Sequence, residues 1–208
     1  RVFMETRFLR WGRPPMKELV FLLEEPSAKA MLESLLPRIL SPNISFRCIP
    51  FEGKQDLEKQ LTRKIRAYQN PVARFIVLRD QDSHPNCVQI KQRLLDLCHA
   101  SGKAGQCLVR IVCTELETFY LADLLAVERA LEIDGLVRHQ ASRKFRSPDA
   151  LGNPSKELQA LTKGRYEKIG GSRAIGQHLS LDNERSPSYR NLLTAIRRME
   201  SELIAEKT

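Results

Sequence analysis

Three pairs of carboxylates carry the chemistry available to this 208-residue sequence: Glu24 with Glu25, Asp80 with Asp82, and Glu115 with Glu117. Each pair lies at the end of a strand-like, mainly apolar run. Two carboxylates ~4 Å apart repel by ~4 kcal/mol at an effective dielectric of ~20. Brought together, such groups must be protonated, paired with cations or filled by a metal. A donor set made only of oxygen suits Mg²⁺ or Mn²⁺, with water and phosphate oxygens completing the shell. The reaction that follows is phosphodiester chemistry, because the ion offsets charge on the non-bridging oxygens and acidifies a water. Glu24, Asp80 and Asp82 are the expected catalytic residues, and all six carboxylates are candidate ligands. In an extended segment, residues two apart face the same way, so Asp80 and Asp82 can share one target. The plainer use of such residues is helix capping, which Asp82-Ser83 could do for the helix that follows.

The elements that must position these residues alternate along the first half of the chain. Leu19–Leu23 is an unbroken apolar run, as expected of a strand buried on both faces. Ser27 is placed to cap a helix whose apolar residues Met31, Leu32, Leu35, Leu36 and Ile39 recur at helical spacing. A strand over 44–49, a helix over 56–68, a buried strand over 75–78, a helix over about 86–100 and a strand over 108–113 complete the pattern. Alternation of this kind predicts an α/β fold, a mainly parallel central sheet flanked by helices. Parallel strands place their carboxyl ends on one edge, where ligands of such sheets bind. Each acidic pair falls at that edge.

After Glu117 the character changes. Residues 119–133 read as one helix, 138–173 are polar and basic, and a final helix has Ser186 as its cap, Pro187 at its first position and an apolar stripe of Leu192, Ile196, Met199 and Leu203. Gly170-Gly171-Ser172 reads as a turn. The expected organisation is therefore an α/β core over 16–118 and a helical extension over 119–208 packed on it. Residues 1–15 are read as an upstream extension, either not native or disordered.

Composition narrows the class. With 42% hydrophobic and 28% charged residues the chain is globular rather than disordered. It has no apolar run approaching the ~20 residues of a membrane-spanning helix. Five cysteines, an odd count with no Cys-x-x-Cys pair, give a cytoplasmic pattern. The net charge of +9 permits an anionic partner.

At these residues the sequence resembles a known family. The stretches Leu23-Glu24-Glu25-Pro26-Ser27, Asp80-Gln81-Asp82-Ser83, Glu115-Leu116-Glu117-Thr118-Phe119-Tyr120-Leu121 and Asp182-Asn183-Glu184-Arg185-Ser186-Pro187-Ser188 are similar to a small bacterial Toprim-like family of unknown function. That family is related to the overcoming-lysogenization-type Toprim nucleases and is often encoded beside AAA- or ABC-type ATPases. The resemblance spans residues 17–199. It implies a Toprim-like fold and a Mg²⁺-dependent nuclease acting on DNA or RNA with an ATPase partner in defence against phage or genome maintenance. It also implies that Glu24 is a metal ligand or general acid/base, that Asp80 and Asp82 bind metal, and that Glu115 and Glu117 form a third acidic site. Two departures stand out. Glu25 occupies a position where many Toprim proteins have glycine, which leaves open whether Glu24 or Glu25 faces the metal. Ala28 replaces an acidic residue, which removes a second-metal ligand.

Arg138, Arg143, Lys144, Arg146, Lys163, Arg165 and Lys168, interleaved with Phe145 and Tyr166, form a basic stretch that could follow a nucleic-acid backbone beside the acidic site. Arg185, Ser186, Ser188 and Arg190 at a helix start could hold a phosphate. Ser83 and His84 lie beside the acidic edge as candidate substrate contacts. Two other functions fit the same residues. One is a non-catalytic scaffold binding nucleic acid or an ATPase. The other is a Mg²⁺-dependent phosphotransfer enzyme acting on small molecules, although no separate nucleophile is evident for it.

Overall fold

The computed structural model describes residues 16–206; the extension read over 1–15 lies outside the described residues. Four strands form one parallel sheet: β1 (Glu18–Leu23), β2 (Ser45–Pro50), β3 (Arg74–Asp80) and β4 (Cys107–Val112). Their order is β2-β1-β3-β4. Every neighbouring pair is parallel, with Phe21 opposite both Cys48 and Ile76, and Val77 opposite Val109.

Strand alternation divides the core in two. Leu19, Phe21, Leu23, Ile76 and Leu78 face one layer, and Val20, Leu22, Phe75, Val77 and Val109 face the other. The second layer is closed by α2 (Lys54–Arg66) and α3 (Cys87–Ala100), through Leu57, Leu61, Ile65, Ile90, Leu94 and Cys98. The first is larger. It holds α1 (Pro26–Leu35) and the helices of the second half: α4 (Glu117–Leu121), α5 (Leu124–Leu131), α6 (Pro154–Leu161), α7 (Lys168–Gly176) and α8 (Pro187–Ala205). β1 is buried along its whole length because both layers cover it.

Several local readings change at the helix ends. α1 begins at Pro26, one residue ahead of Ser27; proline suits the first turn because its missing N–H would have no helical partner there. The Ser27 hydroxyl instead donates to Glu25 Oε2 at 3.1 Å. The helix expected over 119–133 is two, α4 and α5. Asp123 interrupts it by taking Ala126 N–H on one oxygen and Ser180 N–H on the other. Asn86 caps α3 and Ser186 caps α8, each accepting N–H groups of the first turn.

Gly170-Gly171-Ser172 is not a turn but the body of α7. The glycines cost helix propensity, and packing explains two of those in this helix. A Cβ on Gly171 would lie 2.6 Å from the Tyr166 ring, and one on Gly176 would lie 2.6 Å from the Met31 carbonyl oxygen. Small residues here let α7 lie directly on α1, and that contact carries the start of α7 to the strand ends.

Candidate functional site

The chain runs from β1 outward to β2, then crosses back to β3 on the other side of β1. The ends of β1 and β3 therefore flank the switch point of the sheet, the crevice where ligands of parallel sheets bind. Glu24 follows β1 and Asp80 ends β3. Glu24 N–H donates to the Leu78 carbonyl at 3.2 Å, and Asp80 N–H donates to Glu24 Oε2 at 3.1 Å. Asp80 Oδ2 accepts Leu116 N–H at 3.1 Å, which ties the loop after β4 to the same point. That loop turns into α4, whose first residue, Glu117, is buried.

Burial and mutual repulsion govern these acids. The Asp80 carboxyl is held far above the usual carboxylate range, first by burial and then by the charges of Glu24, Glu117 and Glu25. Burial and the Asp82 charge raise Glu24, against the Asp80 N–H and the Arg79 guanidinium. Glu117 is raised by burial, against N–H donation at the start of its helix, the Tyr166 hydroxyl and the Lys168 ammonium.

The cations and hydroxyls around the acids come from outside the strand motifs. Lys168, at the start of α7, pairs with Glu25 at 2.6 Å. Burial disfavours its charge, but Glu25, Glu117 and Asp80 together outweigh that and raise its proton affinity. The Tyr166 hydroxyl donates to Glu117 Oε1 at 2.9 Å and lies 3.1 Å from the Ser172 hydroxyl. The Tyr120 ring stands 5.9 Å from that of Tyr166, and its hydroxyl is buried with no hydrogen-bond partner among the described residues. Arg79 is buried, bound to Glu58 at 2.5 Å and 3.9 Å from Glu24. Glu58 is shared with Arg93 at 2.7 Å.

Asp80 and Asp82 do not share a face as an extended segment would place them. Asp82 has φ 53°, a left-handed conformation that aspartate tolerates, and it pairs with Lys54 at 2.8 Å on the half-exposed rim. Its N–H donates to the carbonyl of Thr114, which is itself at φ 65°. Asp82 reaches the cluster through its charge on Glu24. Glu115 turns outward, and its Oε2 accepts Ser155 N–H at the start of α6 at 2.8 Å. Glu24, Glu25, Asp80 and Glu117 thus form the inner group, with Asp82 on the rim and Glu115 beside it.

The remaining candidates lie apart from this group. Ser83 and His84 are exposed, and His84 Nδ1 accepts Asn86 N–H. Arg143, Lys144 and Arg146 line a shallow cavity of about 490 Å³ with Leu151, whose carbonyl accepts the Thr114 hydroxyl near the end of β4. Lys144 pairs with Glu157 at 2.5 Å. Lys163 and Arg165 line a separate cavity. Phe145 and Tyr166 are both buried, so neither ring is presented to a base. At the start of α8, Ser186 accepts Tyr189 N–H and Asp149 accepts Ser188 N–H at 2.8 Å, so the protein's own groups satisfy the helix terminus. Arg185 and Arg190 are exposed beside it, Arg190 3.8 Å from Glu184.

Sequence reasoning missed Arg79, Lys54 and Ser172 as site residues, and it placed Tyr166 and Lys168 in the basic stretch without bringing them to Glu117 and Glu25. Arg79 had a usable signal, since an arginine inside a buried strand requires an anion nearby.

The donor set, carboxylate oxygens with surplus negative charge, fits a hard divalent cation in its chemistry. Among the described residues, no three acidic, histidine or cysteine side chains are already disposed around a common ion position.

Residues 23–197 match the family described as Domain of unknown function (DUF4276). The chain belongs to that family. No curated protein sequence matches this DUF4276 chain. A solved structure, the C-terminal region of the Burkholderia pseudomallei OLD protein, is similar to it with a TM-score of 0.50 at 18% identity, covering 88% of this chain and 98% of that one. The likeness is one of fold, and it agrees with the parallel α/β sheet expected from the residues and the Toprim-like architecture that the resemblance implies. No helix among the described residues is long and apolar enough to cross a membrane.

Proposed function

We propose that this DUF4276 chain is a metal-dependent nuclease hydrolysing DNA or RNA phosphodiesters at the β1–β3 crevice. The observation that carries the reading is the inner group itself: Asp80 is buried among Glu24, Glu25 and Glu117, and Lys168 is the cation drawn in beside them. A buried group of mutually repelling acids at a sheet's switch point is costly even with Lys168 and Arg79 beside it, and a site that binds a cation is a sufficient reason for it.

Glu24, Asp80 and Glu117 would hold Mg²⁺ or Mn²⁺, with Glu25 and Asp82 at the margin. The bound ion supplies charge neutralisation at the phosphate and an acidified water. The chain's own groups do the rest. The Asp80 N–H and the Tyr166 hydroxyl fix one oxygen each of Glu24 and Glu117 and so orient the other oxygen. Lys168 places positive charge where negative charge grows on the phosphoryl oxygens. Arg143, Lys144 and Arg146, joined through Leu151 to the end of β4, would receive the backbone of the substrate. An AAA- or ABC-type ATPase partner, a cytoplasmic setting and a role in phage defence or genome maintenance belong to the same proposal and rest on the resemblance.

One observation favours a second reading, a scaffold that binds without cutting. Glu25 pairs with Lys168, Asp82 with Lys54, and Glu115 with Ser155 N–H.

The deciding experiment is cleavage of supercoiled plasmid and of single-stranded RNA with Mg²⁺ and with Mn²⁺, by wild type, Asp80→Asn and Glu24→Gln. The nuclease reading expects metal-dependent cutting that both substitutions abolish. Cutting by the variants at the wild-type rate overturns it, and no metal binding by calorimetry selects the scaffold.

A further inference from the structure

β4 ends the sheet, paired with β3 on one side only. The Val112 and Thr114 carbonyls accept N–H groups from the Gln81 and Asp82 side, so by strand alternation Val109, Ile111 and Cys113 direct their backbone groups away from β3. Two of the outward carbonyls are already held, Val109 by Arg110 Nη1 at 2.9 Å and Cys113 by the Thr118 hydroxyl at 2.9 Å. The alternation leaves the N–H groups of Ile111 and Cys113 and the Ile111 carbonyl directed outward at half-buried residues, while Val109 is covered. Exposed edges of this kind are templates for another strand.

This edge is not flat surface. α3 stands on one side and the start of α8 on the other, and between them runs a groove of about 390 Å³. Its floor is Val109, Ile111 and Cys113, and Val88 is 69% exposed on its wall. The charges at the groove are cationic. Lys91 and Arg110 line it, and Arg198 acts on Arg110 from α8. Neither Lys91 nor Arg110 forms an ion pair among the described residues; Arg110 Nε is held by the Asn191 carbonyl at 3.0 Å. Asp149, near Cys113, holds Ser188 N–H with one oxygen.

The geometry points to a docking groove for an extended acidic segment of a partner protein, added as a fifth strand alongside β4. Main-chain bonds to Ile111 and Cys113 supply affinity, the Val88 wall takes an apolar side chain, and Lys91 and Arg110 select carboxylates. Charge argues against a second copy as the occupant, because β4 against β4 about a two-fold axis brings Arg110 and Lys91 toward their own counterparts. The inference is independent of the nuclease reading: the groove lies along the edge of the sheet, not at its β1–β3 crevice.

The test uses the full chain and three fluorescein-labelled nine-residue peptides: alternating Glu and Val, alternating Lys and Val, and the acidic peptide N-methylated at every second residue. Anisotropy is expected to show binding of the acidic peptide, weakening as salt rises. N-methylation and Lys91→Glu should each weaken it by ~10-fold or more. Lys91 is on the exposed face of α3, so its replacement leaves the fold intact, and Val88→Asp gives a second variant on the groove wall. Equal binding of the basic peptide, or indifference to N-methylation, overturns the proposal. So does a concentration-dependent dimer abolished by Lys91→Glu, which assigns the edge to a second copy. A labelled single-stranded oligonucleotide is the fourth probe, and its binding in place of the acidic peptide, lost in Lys91→Glu, overturns the proposal and assigns the groove to nucleic acid.

Discussion

Asp80 gives its backbone N–H to Glu24 Oε2 at 3.1 Å, so the acid ending β3 holds the acid following β1 by main chain while repelling it by side chain. The bond fixes where Glu24 points whatever the protonation state of Asp80. Position and charge at this edge are therefore set by separate groups, and they separate in experiment.

Asp80→Asn keeps the shape and the acceptor for Leu116 N–H while removing the buried charge. Burial and neighbouring acids raise Asp80, Glu24 and Glu117 above ordinary carboxylates. The folded state therefore binds their protons more tightly than the unfolded chain does. The stability cost is absent below the unfolded pKa values of ~4, grows as pH rises through the interval up to the folded values, and is then constant. Asp80→Asn should stabilise the metal-free protein at pH 7.5 by about 0.5–2 kcal/mol, and the gain should vanish near pH 4. Thermal unfolding followed by circular dichroism at both pH values checks this.

Mg²⁺ or Mn²⁺ should oppose the same repulsion. At a hundred times its dissociation constant a ligand of the folded state adds ~2.7 kcal/mol, so the melting temperature should climb with metal concentration in wild type and stay flat in Asp80→Asn. Acidification should weaken metal binding, because protons compete for the raised carboxylates. A metal series read by differential scanning fluorimetry measures both.

Tyr166→Phe removes the hydroxyl shared by Glu117 and Ser172. Loss of that buried bond should cost about 1–3 kcal/mol. It should also raise Glu117 further, because the hydroxyl favours the ionised form. Cleavage should fall, and the acidic limb of its pH profile should move upward. A pH series of initial rates, set beside the melting curves, separates the two effects.

Arg79→Met leaves buried Glu24 without its arginine and Glu58 with Arg93 as its remaining partner. Breaking a buried pair from one side costs about 3–5 kcal/mol, and Arg93 should hold this loss toward the lower end of that range. Arg79→Met with Glu58→Gln should recover part of that loss, and a double-mutant cycle in urea gives the coupling.

The sequence made the scaffold legible where periodicity was local. The run Leu19–Leu23 and the apolar block at 75–78 could be only buried strands, and the Ser186-Pro187 start of α8 had its cap and its proline in order. Glu24 and Asp80 followed, since parallel strands bring their ends together whatever lies between them. Asp82 was misplaced in space because alternation stops where the backbone turns left-handed at φ 53°. Residues 119–133 keep a helical apolar stripe across Asp123, so the break there depends on a carboxylate reaching Ser180, 57 residues onward. The basic composition of 138–173 marked Tyr166 and Lys168 as candidate contacts to a nucleic-acid backbone, but nothing local brought them or Ser172 to Glu117 and Glu25. Their place there depends on α7 lying against α1.

That seam has a consequence of its own. Gly176 brings α7 so near α1 that a Cβ would touch the Met31 carbonyl, and Gly171 does the same for the Tyr166 ring. A contact between backbones has no soft side chain to absorb sliding, so α7 and α1 behave as one girder, with Glu25 before α1 and Lys168 opening α7 paired at the same end. The acidic side chains at that end can therefore rearrange by their own torsions while the frame that carries them stays fixed.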